Sequence, residues 1–464
     1  MWRTSTLLAL ALGIPLAGPQ SSPTLLVVPQ HDSWRVTSNV AGASISGDGR
    51  WIAFESYDRL AAADDNDHCD VYVLERASGR VTLESVDTNG DVLPADSTLP
   101  RLNGSGRYLV FETVTVSAAG LPLGSEIVLR DRLQHTSKRV SRSANPVGSS
   151  EWSRNPAISD DGRFLGFSST ASDLAGGRDE NGHQEDVYVF EVSSGRIERV
   201  SLTSDGRQLA AGASHSPSLS GDGRYVAFTS TASLTEERSG IVNGRPIASV
   251  YVRDTTLRRT ERVSASTTGA VLDRHSSDPA ISRDGYFVVF TSEATNLIPG
   301  DRNGLADVFA ADLRTRAITL ISRAATGGPA NGASRHPAVS ADGRYVVFQS
   351  DASDLICAAK CLDDDEDINL VSDVFLVDRR TGGASRISRG PAGGWAEEST
   401  APQLDGTGEI VTFLSRHAID EADVDNDFDL FVRIGLGQVS QSHGSATHAV
   451  RGAALERQRT SARE

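Results

Sequence analysis

Residues Ser340 to Ser350 carry the sequence Ser-Ala-Asp-Gly-Arg-Tyr-Val-Val-Phe-Gln-Ser, and this phrase decides the fold because it recurs along the chain. The glycine of the phrase falls at positions 49, 106, 162, 223, 285, 343 and 408. Each copy predicts a tight turn followed by a strand, since Asp-Gly or Ser-Gly supplies the positive φ that a two-residue hairpin needs. A unit that returns every ~60 residues indicates a solenoid, a propeller or an array.

Each repeat contains four strand-like segments. In the sixth repeat the first is Pro337–Ser340, the second follows the Asp-Gly turn, the third begins at Asp373 and the fourth ends at Arg386–Ser388. No stretch has a helical period. The pattern predicts an all-β fold, a seven-bladed β-propeller of four-stranded antiparallel blades. A β-solenoid usually has shorter repeats, and separate sandwiches would not share one phrase.

The repeated phrase, followed in most copies by Asp-Val-Phe or Asp-Val-Tyr, resembles the repeat of the TolB-type propellers, which are relatives of the WD-repeat class. The resemblance covers roughly Ser33 to Ser440. It implies the propeller fold and says little about function. TolB itself has an α/β domain ahead of its propeller, and nothing here matches that domain, so its envelope partners are not implied. The repeats here are also longer, because the loop between the second and third strands is expanded.

The ring needs a strand to close it, and the N-terminal part of the chain offers one. Arg35-Val36-Thr37 has the form of a fourth strand, but no blade precedes it. We therefore expect the segment that begins at Trp34 to pair with Asp429–Val432 and complete the seventh blade. The alternative is that Gln438–Ser440 supplies this strand locally. The expected domains are a propeller over residues 33–440 and a disordered polar tail over 441–464.

The net charge and the N-terminal segment limit the possible partners and the location of the protein. The formal net charge of −16 argues against nucleic acid or an anionic membrane surface as a partner. Residues 1–20 begin with Met1-Trp2-Arg3 and continue with an apolar run from Leu7 to Ala17, which predicts a signal peptide, with a frayed terminus as the alternative. We therefore expect an exported protein, periplasmic or extracellular, and a monomer. No other segment is long and apolar enough to cross a membrane.

Three cysteines occur in the chain. Cys357 and Cys361 lie four residues apart in one loop, and an exported protein could join them in a small disulfide; two free thiols are the alternative. Cys69 has no neighbouring cysteine, so we expect a free, half-buried thiol. One Cys-x3-Cys pair is weak evidence for zinc.

The loops between the second and third strands carry a recurring set of oxygen ligands. Acidic and amide side chains alternate, a turn residue follows, and a final Asp begins the third strand, as in the first half of a calcium loop. The candidate calcium ligands are Asp64, Asn66, Asp70, Asp179, Asn181, Asp186, Asp301, Asn303, Asp307, Asp363, Asp365, Asp373, Asp423, Asp425, Asp427 and Asp429. The closing glutamate of an EF-hand is absent, and the alternative is a set of ordinary Asx turns.

The junctions between repeats are the other candidate site. In a propeller these junctions and the expanded loops lie on one face, around the mouth of the central channel. The candidate residues for a ligand or a partner there are Arg154, Asn155, His215, His275, Asp278, Arg335 and His336. Polar residues that satisfy exposed loop backbone are the simpler explanation.

No hydrolase or metalloprotease motif accompanies these residues, since the chain lacks Gly-x-Ser-x-Gly and His-Glu-x-x-His. The sequence therefore favours a binding or scaffold protein that takes a protein, small-molecule or glycan ligand. A glycan- or polysaccharide-active enzyme with its site in the channel is the alternative. Convergent carboxylates and arginines in the channel would favour the enzyme.

Overall fold

A computed structural model describes residues 33–36, 40–117, 121–141, 151–176, 178–237, 239–356, 371–388, 398–416 and 428–435. These ranges form seven four-stranded antiparallel sheets and one small hairpin, and they contain no helix. The predicted all-β, seven-bladed propeller is confirmed. No helix capable of crossing a membrane is found in these ranges.

The strands follow the chain from blade to blade. The first strand of the chain is β1 (Ser33–Val36). Blade 1 is β2 (Val40–Ile45), β3 (Trp51–Ser56), β4 (Asp70–Glu75) and β5 (Arg80–Leu83), and blade 2 is β6 (Ser97–Leu102), β7 (Tyr108–Val116), β8 (Pro122–Asp131) and β9 (Thr136–Arg139). Blade 3 is β10 (Ser153–Ile158), β11 (Phe164–Ser169), β12 (Asp186–Glu191) and β13 (Ile197–Arg199).

The later blades repeat this order. Blade 4 is β14 (Ser214–Leu219), β15 (Tyr225–Ser230), β18 (Ser249–Asp254) and β19 (Arg259–Arg262), with the hairpin β16 (Ile241–Val242) and β17 (Arg245–Pro246) in its long loop. Blade 5 is β20 (Ser276–Ile281), β21 (Phe287–Ser292), β22 (Asp307–Asp312) and β23 (Ile318–Leu320). Blade 6 is β24 (Ser334–Val339), β25 (Tyr345–Ser350), β26 (Asp373–Asp378) and β27 (Gly383–Arg386). Blade 7 contains β28 (Ser399–Leu404), β29 (Ile410–Ser415) and β30 (Asp429–Ile434).

The N-terminal strand completes blade 7, as the unpaired Arg-Val-Thr phrase predicts. In the antiparallel register of β1 and β30, Trp34 lies opposite Val432 and Arg35 lies opposite Phe431. The sheet order is β1-β30-β29-β28, so the first and last strands share one blade and close the ring. The alternative strand at residues 438–440 lies outside the described residues.

The cores lie between neighbouring blades and repeat with the sequence phrase. In six blades the aromatic residue of the second strand stacks on that of the third, with centroids 5.4–6.2 Å apart; Phe54 on Tyr72 is one such pair. Both members of this pair are fully buried. Each such side chain contributes roughly 1.5–3 kcal/mol through burial, so these repeated aromatic pairs stabilise each blade in the same way.

The turn of the repeated phrase differs from the predicted two-residue hairpin. All seven glycines have a positive φ, between 67° and 75°, as expected. In blade 1, however, four residues separate Ser46 from Trp51, whose backbone groups are hydrogen bonded to each other. The Ser46 hydroxyl accepts a bond from the Trp51 amide and donates one to Asp48. The prediction of a two-residue turn was wrong because this serine and aspartate hold a longer loop closed.

Several predicted features lie outside the described residues. They are the signal peptide at 1–20, the tail at 441–464, the disulfide partners Cys357 and Cys361, and five candidate calcium ligands, Asp363, Asp365, Asp423, Asp425 and Asp427. Cys69 is free, as predicted, but it is fully buried instead of half-buried. Burial raises the pKa of its thiol.

Candidate functional site

The seven first strands surround the central channel, because each of them contacts the first strand of the next blade. Their starting ends lie beside the loops between the second and third strands: Arg154 pairs with Ser168, and the adjacent Ser169 pairs with Asp186. We call this end of the ring the loop face, and the end with the Asp-Gly turns the turn face. The predicted junction residues and the expanded loops therefore share one face.

A closed circle of backbone hydrogen bonds surrounds the channel at the turn face. The second residue of each phrase contributes a backbone group, and each turn forms a hydrogen bond of 2.8–3.1 Å with the turn of the next blade. The acceptors around the circle are the carbonyl groups of Gly104, Asp160, Gly221, Arg283, Ala341, Gly406 and Gly47. The circle links the seven turns to one another around the channel at the turn face.

One ion pair lies across the channel at the turn face. The Arg283 guanidinium contacts Asp160 at 2.7 Å between Nη1 and Oδ1. The same guanidinium lies against Gly47 and Gly406, on two other blades. A Cβ at either glycine would lie within 2.7 Å of it, so only glycine leaves room for the arginine there. Burial raises the pKa of Asp160, while the Arg283 charge opposes that shift. The pair therefore obstructs the channel at the turn face.

At the loop face six first strands contain a bulge with an unusual backbone. The residue before the strand's proline has φ between 50° and 54° in each; these residues are Leu99, Asn155, Ser216, Asp278, His336 and Ala401. The pairing with the second strand shifts register at the same place. The left-handed region is unfavourable for non-glycine residues and the residue before a proline is further restricted, so the bulge holds strain. Bulges of this kind redirect side chains.

Two arginines lie at the channel mouth, each near one carboxylate. The Arg154 and Arg335 side chains are 45% and 44% exposed. Arg154 Nε lies 4.0 Å from Glu112 Oε1, and Arg335 Nη1 lies 3.6 Å from Glu293 Oε1. These contacts are too long for close hydrogen bonds, so both guanidinium groups retain donors for a ligand.

The histidines predicted at the mouth have separate local contacts. His336 Nδ1 lies 3.3 Å from Gln349 Oε1, and His215 Nδ1 lies 2.9 Å from Ser216 Oγ. His275 stands one residue before β20, where its Nδ1 accepts a hydrogen bond from the Ala248 amide. Of the seven predicted junction residues, six therefore belong to the bulged first strands. The seventh, His275, is hydrogen bonded to the loop that precedes β18.

Two buried glutamates near the channel were not among the predicted site residues. Glu55 and Glu112 occupy the fifth position of the second strands of blades 1 and 2, and both are buried. Glu55 accepts a hydrogen bond from the Leu99 amide of the next blade, and burial raises the pKa of both carboxyls. Arg101 opposes the Glu55 shift. A comparison of the repeats could have identified them, because this position holds Ser, Thr, Gln or Leu in the other five copies and glutamate only in these two.

The final aspartates of the expanded loops are buried, and each of the three described below is hydrogen bonded to a serine that follows the fourth strand. Ser201 donates to Asp186 at 2.7 Å, Ser322 donates to Asp307 at 2.6 Å, and Asp70 accepts the equivalent bond. Burial is the largest cause that raises the pKa of these three carboxyls to about 6. The remaining described candidates, Asp64, Asn66, Asp179, Asn181, Asp301, Asn303, Asp373 and Asp429, lie in the same loops or at the starts of third strands.

These loops do not bring three acidic, histidine or cysteine side chains together within the ranges that the structure describes. In blade 5 the Asn303 amide donates to Asp307 Oδ2 at 2.8 Å and its carbonyl oxygen accepts from the Leu305 amide at 3.0 Å. These contacts are those of an Asx turn. A cation here would have two carboxylates, an amide and backbone carbonyls as ligands.

A groove of about 980 Å³ lies away from the channel, on the outer edge between blades 4 and 5. Its walls include Arg259 and Glu261 of β19 and Arg316 of blade 5. Arg259 and Arg316 both contact Glu261, at 2.9 Å and 3.4 Å. The charges in this groove therefore pair with one another.

No family model matches the chain, and no curated protein sequence matches it. Among solved structures, an oligogalacturonate lyase from Vibrio parahaemolyticus superposes with a TM-score of 0.52 at 11% identity, over 87% of this chain and 93% of the lyase. The propeller domain of the trilobed protease from Pyrococcus furiosus gives 0.48 at 12% identity, over 81% and 91%. TolB from Acinetobacter baumannii gives 0.38 at 13% identity, over 85% and 78%. At these identities the comparison shows the fold alone: the chain shares the β-propeller fold with the Vibrio lyase.

Proposed function

We propose that this protein is a binding module that takes a ligand or partner group into the channel from the loop face. One observation carries the proposal. A ring of backbone bonds and the Arg283–Asp160 pair obstruct the turn face, whereas the other end has exposed arginines on bulged strands. A pit that is accessible from one side and has a few polar groups at its mouth is a typical place for a ligand.

The charges at the mouth favour a ligand that carries carboxylates. Arg154 and Arg335 stand on different blades, and each is only loosely paired. Guanidinium groups bind carboxylates through paired, charge-assisted hydrogen bonds. Exposed basic groups at the mouth of a protein with a formal charge of −16 would select an acidic ligand locally. Acidic oligosaccharides and acidic peptide segments both carry such groups.

Replacement of Arg335 and His336 together by alanine should weaken binding of trigalacturonate at least tenfold without unfolding the ring. A lost charge-assisted hydrogen bond costs about 1.5–3 kcal/mol, which corresponds to roughly tenfold to a hundredfold in affinity. The probe is a short acidic oligosaccharide, and calorimetric titration measures its affinity. Arg196→Ala is the matched control, because Arg196 is exposed on the turn between β12 and β13 and pairs with Glu198.

Equal affinity in the native chain and the double variant would reject the mouth as the site. Absence of binding to trigalacturonate, together with equal absence for acidic peptides, would reject an acidic ligand. Cleavage of the oligosaccharide, detected by mass spectrometry, would favour the second candidate, a glycan-active enzyme. That candidate is supported by the pair of buried carboxyls at Glu55 and Glu112, because carboxyls with raised pKa values serve as acids or bases.

Glu55→Gln should become more stable relative to the native chain as the pH rises. The pKa of Glu55 is raised in the folded state, so its favourable contribution is complete below the unfolded-state value of 4.5 and declines as the pH passes through the folded-state value. Glutamine keeps an acceptor for the Leu99 amide and removes the titration. Urea unfolding at pH 4, 6 and 8 measures the free energy of unfolding of both proteins. A variant that loses stability relative to the native chain as the pH rises would contradict the direction of this pKa shift.

The finer part of the proposal is that the protein is exported and that calcium stiffens the expanded loops. Buried aspartates at the ends of these loops support calcium as the ligand, since calcium prefers several oxygen donors in flexible geometry. Magnesium fits less well, because it demands a small octahedron and keeps its waters. An exported protein would meet enough calcium for weak sites.

A further inference from the structure

In blade 3 two aspartates of the expanded loop are bridged by nitrogen donors. The Gln208 side-chain amide donates to Asp179 Oδ1 at 2.7 Å and to Asp186 Oδ2 at 2.6 Å. The Arg199 guanidinium lies beside the same carboxylates, 3.8 Å from Asp179 and 3.4 Å from Asp186. One nitrogen atom thus sits between two carboxylates at distances little longer than the 2.3–2.6 Å at which calcium binds oxygen.

Blades 1 and 5 lack both nitrogen donors at the equivalent positions. Arg199 lies opposite Tyr188 in its sheet, and the residues opposite the matching aromatics of blades 1 and 5 are Leu83 and Leu320. Gln208 directly follows a turn that is closed by a backbone hydrogen bond, and blades 1 and 5 have the same turn. When the three turns are aligned, Val92 and Pro329 occupy the position of Gln208. Two separate positions therefore change from donor to apolar residue in the same two blades.

The other described blades keep the arginine. Arg139 of blade 2 contacts Glu126 at 2.5 Å, and Arg386 of blade 6 contacts Asp373 at 3.6 Å. Arg262 of blade 4 lies 3.8 Å from Glu237. Among the six blades whose fourth-strand side chains are described, the arginine at this position reaches a carboxylate in four, and leucine replaces it in blades 1 and 5.

The aspartates of blades 1 and 5 are deeply buried, and no arginine or lysine of the described residues forms an ion pair with them. Asp64 and Asp70 are 7% and 0% exposed, and Asp301 and Asp307 are 5% and 0% exposed. Asp70 Oδ2 and Asp301 Oδ1 are buried atoms with no hydrogen-bond partner among the described residues. A buried carboxylate without a counter-charge is costly. The described side chains supply no arginine or lysine to either pair of aspartates, and near Asp70 only the partly exposed His68, which itself contacts Asp96.

We propose that blades 1 and 5 each bind one calcium ion between their two aspartates, and that Gln208 and Arg199 take the place of the ion in blade 3. This inference rests on the proposed binding of calcium by the loops and assigns it to particular blades. Two carboxylates balance the charge of one divalent ion. Loop carbonyls and water would complete the coordination, and Asn66 or Asn303 would add an amide oxygen after rotation of the side chain.

Leu83→Arg and Leu320→Arg should each remove one bound calcium ion per chain, and the double variant should remove two. The probe is calcium alone, and equilibrium dialysis of the full chain at pH 7.5 gives the stoichiometry as a difference from the native chain. Leu320→Met is the matched control, since it keeps an apolar side chain of similar volume and should keep the ion. The reverse exchange, Arg199→Leu with Gln208→Val, should add one ion.

A second variant separates loss of charge from misfolding. Asp301→Asn should lose one ion and, in chelator, should unfold at a higher temperature than the native chain, because it removes one of two unbalanced buried charges. A purely structural role for Asp301 would lower the unfolding temperature in chelator and leave the calcium count unchanged. An unchanged count in the double leucine-to-arginine variant would overturn the assignment. The calcium count is independent of trigalacturonate binding, so failure of one proposal leaves the other standing.

Discussion

A variant that lacks residues 21–38 should unfold at a temperature lower by on the order of 10 °C. This deletion removes β1, the strand that pairs with β30 on its outer side. The pairing runs from Ser33 opposite Arg433 to Val36 opposite Leu430, so the loss exposes a strand edge and separates the two ends of the ring. Thermal unfolding followed by circular dichroism measures the effect.

Removal of residues 441–464 is the control for shortening the chain, and it should leave the unfolding temperature unchanged. The exposed β30 edge predicts a second effect of the N-terminal deletion, which is concentration-dependent association through strand addition. An unfolding temperature equal to that of the native chain after loss of residues 21–38 would contradict closure by β1.

Gly343→Ala should cost about 2–5 kcal/mol of unfolding free energy, whereas Gly382→Ala should cost about 1–2 kcal/mol. Both glycines have a positive φ, 71° and 76°, so alanine meets similar backbone strain at both positions. A Cβ on Gly343 would also lie 2.2 Å from the Phe287 ring of the preceding blade, and a Cβ on Gly382 would meet nothing within 4 Å. The difference between the two variants isolates the packing of one blade's turn on its neighbour.

Urea unfolding of both variants at one pH measures this difference. Equal losses in the two variants would show that backbone strain alone accounts for the glycine. That result would remove the reason we give for the repeated glycine in all seven copies, because every one of these glycines faces a side chain of the preceding blade.

The fold could be predicted because its decisive residues are local and repeated. Three local patterns each predict the backbone conformation of a few neighbouring residues. They are the glycine of each phrase, the alternation after it and the unpaired phrase at Arg35. The length of the Asp-Gly loop was predicted wrongly. It depends on hydrogen bonds of Ser46 and Asp48, which stabilise a longer connection than the dipeptide signal indicates.

The candidate site was only partly predictable, because its residues come together around the ring and not along the chain. Arg283 and Asp160 occupy the variable position of the phrase, where five copies have glycine or alanine. Nothing near either residue in sequence shows that they meet across the channel. The assignment of calcium to two blades likewise depends on Leu83 and Leu320, which follow the loop ligands by a full strand and turn.

The most direct test of the account is a crystal structure of the full chain grown with trigalacturonate. We expect electron density for the sugar inside the channel at the loop face, with a carboxylate against Arg154 or Arg335. We also expect the Arg283–Asp160 pair to remain closed across the turn face. Sugar bound at the turn face, or in the outer groove between blades 4 and 5 with the channel empty, would contradict the central claim that the one-ended channel is the binding site.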